Sequence, residues 1–547
     1  MQKVSDNWKQ SHEQTLLNES FVEVTLDIAD PDALKVASPS DNGAIYISDS
    51  SKLADRADKS PIPYCTLEQN IWCLDGNGKA IPGDNFGDTG YVSDVLSNDT
   101  CIFEKKQPAI SIGFPRVFSK LIPGVTIVWS NAYGEFPDTF SVLAYNGNTL
   151  KAEKEVTWNR SVKSLVFVEI NDYNRIDIIV KKWCLPNHRA RVEEIFVGVN
   201  KVYGKADLFS YSHSQSVDPI STSLPKAEIN FSIDNIDDEY NPNNTEGISK
   251  YLTERQEVKT RYGLRLDDGS VEWIDGGTFY LSEWYAKQNG ITADFTARDL
   301  LEFMSDIYYD DDFVTNYTER EKNGRTLYNL ALAVLNSANL PKNSDGTDNW
   351  VIDESLNNIL VHAPLPKDTL ANCLQLIANV GRCVMYQGRD GKIHIEPISF
   401  DSNKATAYKI DSKNSYSKPE ITLSKPIAQT KVNIYSYAVD NGEVTGKVVS
   451  VQSFITEGVG ETITIDNPLI TTRTPQLAGA LRDWVNLYLY YRTTLDFAWR
   501  ADVRLDALDM IINETTHGTN TVLMTDMDFK YNGAFRGTGK GKVIENG

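Results

Sequence analysis

Residues 257–275 read EVKTRYGLRLDDGSVEWID and give the clearest fold signal in the chain. Apolar and polar residues alternate on both sides of Asp268–Gly269, a dipeptide typical of the tight turn of a β-hairpin. Further alternating segments surround the hairpin: Ala227–Ile233, Thr278–Tyr285 and Gly290–Thr296. The sequence therefore predicts an antiparallel sheet over residues 206–310, followed by a short helix at Arg298–Met304.

The length and charge of the chain limit its function. At 547 residues it is expected to form roughly three to five domains. It has 54 Lys and Arg against 75 Asp and Glu, a net charge of −21. This argues against nucleic acid as a bound ligand but is compatible with DNA sliding past without sticking. Because residues 1–19 are polar and lack a signal-peptide core, synthesis in the cytoplasm is expected. The six cysteines fit no disulfide or zinc pattern, and free thiols are expected.

Two further sequence patterns follow along the chain. Residues 322–400 carry two apolar stripes at helical spacing, around Leu327–Ala338 and Leu370–Ala378, and then a hairpin. Residues 415–547 return to strands, interrupted by one helix after Thr474. The result is a coarse β, helical, β repetition. The two β regions share a local pattern, Arg265-Leu266-Asp267 in the first and Arg504-Leu505-Asp506 in the second.

Residues 109–199 predict a separate β-sandwich or jelly roll, because short β-rich runs recur with no helix between them. Aromatic faces pack on the C–H faces of sugars, while amide and charged groups bond sugar hydroxyls. The segment WSNAY therefore predicts a carbohydrate-binding site at Trp129, Asn131 and Tyr133. Trp183, inside an apolar strand, is expected in the core, and Arg189 and Arg191 are expected to be strand-end charges.

No catalytic motif is visible. The six histidines form no metal-binding pair, and neither a G-x-S-x-G elbow nor a P-loop is present. The acidic runs Asp310–Asp312 and Asp234–Glu239 are expected to be solvated turns. The sequence therefore predicts no catalytic residue, no metal site and no cofactor.

Residues 226–304 resemble the first β-barrel of tail hub (Tal-like, tail-tip or baseplate hub) proteins of tailed phages and prophages. The resemblance is carried by RYGLRLDDG (261–269), GTFYLS (277–282) and FTARDLL (295–301). WRADVRLDALDMIIN (499–513) and DFKYNGAFRGTGKGKV (528–543) resemble the second hub barrel. NRIDIIVKKWCLPNHRARVEEIFVG (174–198) resembles a galactose-binding-like carbohydrate-binding domain inserted into the first hub domain.

This resemblance implies a mainly β fold with α+β modules: two hub β-barrels, an inserted β-sandwich and a helix-containing α+β module. The implied domains are an N-terminal strand of the first barrel (1–40), the insert with its leading loop (41–205), the first barrel (206–310), the α+β module (311–410) and the second barrel with one helix (411–547).

The resemblance also implies a structural virion protein of the tail tip, assembled in the host cytoplasm, without enzymatic activity. It implies a homotrimer that joins the tail tube to the host-contact apparatus and forms a channel through which DNA passes without specific binding. The implied partners are a hexameric distal tail ring or tail tube protein, the tape-measure protein, tail fibre or receptor-binding proteins and host cell-surface glycans.

Two alternatives stay open. A glycan-active enzyme with an accessory carbohydrate-binding module would require two facing carboxylates, which the 75 acidic residues could supply. A free-standing adhesin would be expected to carry a secretion signal.

Overall fold

The computed structural model describes residues 1–14, 18–55, 90–245, 247–287, 290–311, 322–338, 340, 347–405, 408–440, 443–455 and 458–544. Most of the predicted leading loop of the insert, Pro341 and Asn441–Gly442 lie outside these residues. The described residues are mainly strands with a few helices, which confirms the predicted mainly β fold with α+β modules. None of the described helices is long and apolar enough to cross a membrane.

The inserted domain begins and ends on two neighbouring strands. Helix α1 (Asp6–Glu13) is followed by strand β1 (Ser20–Ala29), which enters the insert, and the chain returns to the hub through β12 (Gly198–Tyr203). β1 and β12 pair antiparallel, with Val24 opposite Tyr203. β1 also pairs with a strand of residues 206–310, the first hub region by its resemblance, so residues 20–29 belong to the same sheet.

The described part of the insert contains three antiparallel sheets, of five, three and two strands, that share one apolar core. Its elements are α2 (Pro31–Leu34), β2 (Ser38–Asp41), β3 (Tyr91–Leu96), β4 (Ala109–Phe118), β5 (Ile122–Val128), β6 (Pro137–Asn146), β7 (Thr149–Val156), β8 (Lys163–Ile170), β9 (Tyr173–Trp183), β10 (Arg189–Val192) and β11 (Glu194–Phe196). The first has the order β2-β4-β9-β6-β7 and the second β11-β5-β8, while in the third β3 pairs with β10. Trp183 is buried between the sheets as predicted.

The first hub region contains the predicted hairpin. Its elements are β13 (Leu208–Ser216), β14 (Lys226–Asp234), β15 (Glu257–Arg265), β16 (Val271–Ala286), β17 (Thr292–Arg298) and α3 (Leu300–Met304). The turn between β15 and β16 places Gly269 at φ +86°, where a side chain is disfavoured. β16 is one 16-residue strand rather than the two that the sequence suggests. A bulge allows this, since Thr260 pairs with Gly277 and Arg261 with Asp275, leaving Gly276 as the extra residue.

The α+β module packs two helices on a small sheet. Its elements are β18 (Arg325–Thr326), α4 (Leu327–Ser337), β19 (Trp350–Ile352), β20 (Leu360–Val361), α5 (Leu370–Gly381), β21 (Cys383–Gln387) and β22 (Ile393–Pro397). Thr369 caps α5, and the neighbouring Asp368 accepts from the Asn372 side chain. Arg382 takes the left-handed position at the C-terminal end of α5. Gly381 serves packing, because a Cβ there would lie 2.5 Å from Leu356 Cδ2.

The C-terminal region supplies the remaining strands and one helix: β23 (Lys409–Ile410), β24 (Glu420–Leu423), β25 (Ile427–Asp440), β26 (Glu443–Ile455), β27 (Glu461–Ile465), α6 (Gln476–Tyr490), β28 (Thr493–Trp499), β29 (Met510–Thr515), β30 (Gly518–Tyr531) and β31 (Phe535–Val543). β25, β26 and β27 form a separate three-stranded sheet beside α6. Helix α6 begins one residue after Pro475, close to the predicted start.

The two hub regions repeat one strand order. In the first region the neighbours are β15-β16-β17-β14, and in the second they are β29-β30-β31-β28. Each set contains a three-stranded meander, β15-β16-β17 or β29-β30-β31. The last strand of the meander pairs antiparallel with the strand that precedes the meander in the chain, β14 or β28. A further antiparallel strand flanks each set on the same side, β13 beside β14 and β24 beside β28. The duplication therefore lies in the topology. The shared Arg-Leu-Asp pattern does not mark it, since Arg265 ends the second strand of its set whereas Arg504 precedes the second strand of its own.

Strand β13 joins the two sets into one sheet. It pairs with β14 on one edge and with β30 on the other, where Tyr211 lies opposite Tyr531. The strands of the two regions also share one apolar core. The hub regions are thus held as one body by backbone hydrogen bonds and by buried apolar surface.

Arg389 ties the α+β module to both hub regions. Its side chain is 4% exposed and extends from the turn between β21 and β22. Nη1 donates to the carbonyl of Asp275 in the first region (2.9 Å), and Nη2 donates to the carbonyls of Val503 (2.8 Å) and Leu505 (2.9 Å) in the second. Nε donates to Asp506 Oδ1 at 2.6 Å.

Replacing Arg389 is expected to loosen this three-way junction. Arg389→Ala removes four hydrogen bonds and leaves the partly buried Asp506 carboxylate without its cation. We expect the free energy of unfolding in urea to fall by about 3 kcal/mol. Arg536→Ala, at an exposed position on β31, is the control and should change it by less than about 0.5 kcal/mol. Equal effects of the two substitutions would contradict the role of Arg389.

A buried histidine lies next to this junction. His213 on β13 is fully buried, and its Nδ1 lies 2.8 Å from the hydroxyl of Tyr262, which in turn lies 2.8 Å from that of Tyr211. The ring meets Phe279 and Phe529 edge-on. Burial, with a smaller contribution from the Arg389 charge, lowers the pKa of His213 to about 3.

The depressed pKa of His213 predicts a specific acid sensitivity. The folded protein keeps this ring neutral while the unfolded chain takes up its proton near pH 6.5, so its contribution to stability is complete above that pH and falls as the pH drops towards 3. Between pH 7 and pH 4 the loss from this group amounts to about 3 kcal/mol. His213→Phe should reduce the acid-induced loss of unfolding free energy by that amount, whereas His517→Gln, at an exposed site, should leave it unchanged. An identical pH dependence in all three proteins would refute this assignment.

Candidate carbohydrate-binding site

Trp129 lies in the core of the insert, contrary to the expectation that it presents a face to a sugar. Its side chain has no exposed surface, and its ring lies edge-on to Phe140 and Trp183, with centroids 4.9 and 6.3 Å away. Its Nε1 donates to Ser164 Oγ at 2.8 Å. The preceding strand is apolar at nearly every position, and this extends the core through Trp129. Sugar stacking at this ring is therefore sterically excluded in this fold.

Asn131 and Tyr133 lie together on the loop after β5. Asn131 is exposed, and its backbone N and Nδ2 donate to the two carboxylate oxygens of Glu193 at 2.7 and 2.9 Å. Tyr133 is half-buried, and the guanidinium of Arg191 lies 4.7 Å from its ring centroid. The structure therefore brings two of the three predicted residues together with two charged residues. Binding of sugar at this loop stays a prediction.

A buried polar cluster supports the loop from below. Glu135 accepts from Trp183 Nε1 at 2.8 Å and from His188 Nδ1 at 3.0 Å, and Arg191 Nη1 lies 3.6 Å from the same carboxylate. Each of these charged or titratable side chains is buried. Arg191 was expected to be a strand-end charge, and it is instead one of the buried groups that fix this end of the sandwich. Its partners are distant in sequence, and no local spacing indicates the cluster.

Carboxylates of the two acidic runs bond to other groups of the same chain. Asp311 accepts from the backbone N of Leu365 at 2.9 Å, and Asp312 lies outside the described residues. Asp234 accepts from the backbone N of Ile236 at 3.1 Å, and Glu239 pairs with Lys201. Over the described ranges, no group of three or more His, Cys, Asp or Glu residues has the geometry to hold a metal ion.

Loss of Glu135 is expected to destabilise the insert. Glu135→Ala would leave the buried Trp183 and His188 donors without their acceptor, which should lower the free energy of unfolding by about 3 kcal/mol. Glu155→Ala is the matched control, because Glu155 is half exposed and pairs only with Lys181 at the surface. Urea titrations followed by tryptophan fluorescence measure both. The role of the cluster is refuted if the two variants unfold alike.

Comparison with known proteins gives structural matches only. No model of a known protein family matches the chain, and no curated protein matches it. Among solved structures, the chain is similar to the tail protein from Neisseria meningitidis MC58, with 10% identity over 63% of this chain and 94% of that one and a TM-score of 0.42. It is similar to the 43 kDa tail protein of prophage MuSo2 from Shewanella oneidensis, with 13% identity, coverage of 62% and 95% and a TM-score of 0.40.

A third similarity is to the phage P2 baseplate in its activated conformation, with 8% identity, coverage of 66% and 94% and a TM-score of 0.25. These three solved structures are tail and baseplate proteins. Because these TM-scores lie below 0.5, the similarity does not itself establish a function. The function has to be inferred from the residues and topology of the chain.

Proposed function

We propose that the chain is a structural tail hub that assembles as a homotrimer and joins the tail tube to the host-contact apparatus. The observation that carries this proposal is the repeated strand order, β15-β16-β17-β14 and β29-β30-β31-β28. One chain thereby presents two similar modules. Three chains arranged around a three-fold axis would present six, which is what docking on a six-fold tail ring requires.

The rigid junction between the modules supports the same proposal. A pseudo-six-fold ring needs a fixed rotation between the two modules of each chain. The double pairing of β13 and the contacts of Arg389 restrict that rotation. A flexible linker between the modules would not impose such symmetry.

The distribution of charge fits a channel for DNA. Residues 90–203, most of the insert, contain 14 Lys and Arg against 12 Asp and Glu, so the rest of the chain carries a net charge of −23. Three hub regions around an axis would therefore surround the channel with acidic protein. Repulsion between this protein and phosphate would let DNA pass without stable binding.

The proposed partners follow from this position. A hexameric distal ring or the tube protein would contact the six modules, the tape-measure protein would reach the hub through the tube, and fibres or receptor-binding proteins would attach on the distal side. The insert would contact host cell-surface glycans. Three copies would raise a weak affinity for a single glycan through avidity. The hub would be located at the virion tail tip, after assembly in the host cytoplasm.

The oligomeric state tests this proposal. Light scattering on the purified full chain at micromolar concentration should give a mass of about 184 kDa, three times the 61.3 kDa of one chain. Electron microscopy class averages should show three-fold symmetry with six similar lobes around the axis. A stable monomer that does not assemble with the tail ring, or a trimer without six related lobes, would overturn the proposal.

A further inference from the structure

Trp158 stands out on the surface of the insert. Its side chain is 77% exposed, and its backbone adopts φ +59°, a conformation that is unfavourable for a bulky residue. Such strain typically costs about 1–3 kcal/mol and persists only where the surroundings enforce it. An exposed indole contributes little to the core. The exposure and the strain together indicate a role other than stability.

The loop that carries Trp158 is fixed on its C-terminal side. The backbone N of Asn159 donates to the carbonyl of Asp138 at 3.1 Å, and its Nδ2 donates to the carbonyls of Pro137 and Ser161 at 3.0 and 3.1 Å. Ser164 Oγ donates to Asn159 Oδ1 at 3.1 Å and accepts from Trp129 Nε1. The buried Trp129 therefore anchors the loop that exposes Trp158, and the backbone that carries the indole is fixed on this side before any ligand arrives.

Charged groups lie directly beside the indole. The guanidinium of Arg160 lies 5.1 Å from the ring centroid, and its Nη1 donates to Asp138 Oδ2 at 2.8 Å. Lys182 Nζ lies 3.5 Å from the other oxygen of Asp138. The side chains of Arg160 and Lys182 are 56% and 43% exposed, while Asp138 is largely covered. The surface thus combines one flat apolar ring with two accessible cations held by a single carboxylate.

We propose that Trp158, Arg160 and Lys182 form a binding site for an acidic glycan. A pyranose ring would stack its C–H face on Trp158, and the two cations would meet a carboxylate or phosphate on the sugar. Residues 90–203 carry a slight net positive charge, whereas the rest of the chain is acidic. An acidic ligand is therefore repelled less by the insert than by the rest of the chain. The inference rests on the proposed glycan-contact role of the insert. It assigns to Trp158 the stacking role that the buried Trp129 does not perform.

The test uses the full-length protein on an array of oligosaccharides that carry uronate, sialate or phosphate groups, each with a neutral counterpart of the same backbone. We expect binding to acidic members, weakened by salt because charges contribute. In titrations with the best acidic binder, Trp158→Ala should weaken affinity about tenfold or more, and Arg160→Ala or Lys182→Ala should weaken it less. Tyr46→Ala, at another aromatic residue that is 86% exposed, should have no effect.

The outcomes separate this site from the hub proposal. A silent array, binding confined to neutral members, or binding that survives Trp158→Ala would each overturn the site, while leaving the mass and symmetry of the assembly as an independent test of the hub. Because Trp158 is exposed, its replacement should not unfold the domain, and an unchanged urea unfolding curve verifies this. Trp158→Phe keeps an aromatic face and should retain most of the affinity.

Discussion

The double pairing of β13 is the constraint on which the rest of the fold depends. A strand bonded on both edges cannot shift without breaking two ladders of backbone hydrogen bonds, and a slip of one residue would turn His213 and Tyr211 out of the core. The two duplicated modules are therefore fixed in relative position before any subunit contact is made. Arg389 adds directional bonds from the third module to the same junction, where backbone carbonyls of both regions converge.

The insert illustrates how a domain can be added to such a sheet at little structural cost. β1 and β12 are antiparallel neighbours, so their ends lie close together at one side of the sheet, as in a hairpin. The sandwich replaces the turn of that hairpin and builds its own core, which is separate from the two large cores of the hub. The large sheet keeps its strand order, and the insert differs from it in charge.

Local sequence patterns were sufficient to predict the elements that depend only on neighbouring residues. The hairpin at 257–275 follows from alternation and from the Asp268–Gly269 turn, and the helices α4 and α5 follow from their apolar stripes, whereas their threonine caps are seen only in the structure. The repeated strand order was not accessible in this way, because it depends on pairings between distant strands. The Arg-Leu-Asp pattern even marked positions that are not equivalent. Gly381 shows the same limit, since its small size is required by Leu356, a residue from another element.

The candidate site was predicted by residue type, and residue type alone does not determine burial. Trp129 and Trp158 both lie near strand ends, but Trp129 directly follows the mostly apolar strand β5, whereas Trp158 is flanked by Thr157 and Asn159. Trp129 continues the inward face of β5 and is covered by Phe140 and Trp183, whereas Trp158 follows β7, an edge strand whose side chains are mostly exposed. The burial of the preceding strand thus determines that Trp129 lies in the core and that Trp158 lies at the surface. The hydrogen bonds that link Trp129, Ser164 and Asn159 then make the two positions interdependent, because the buried ring fixes the loop that carries the exposed one.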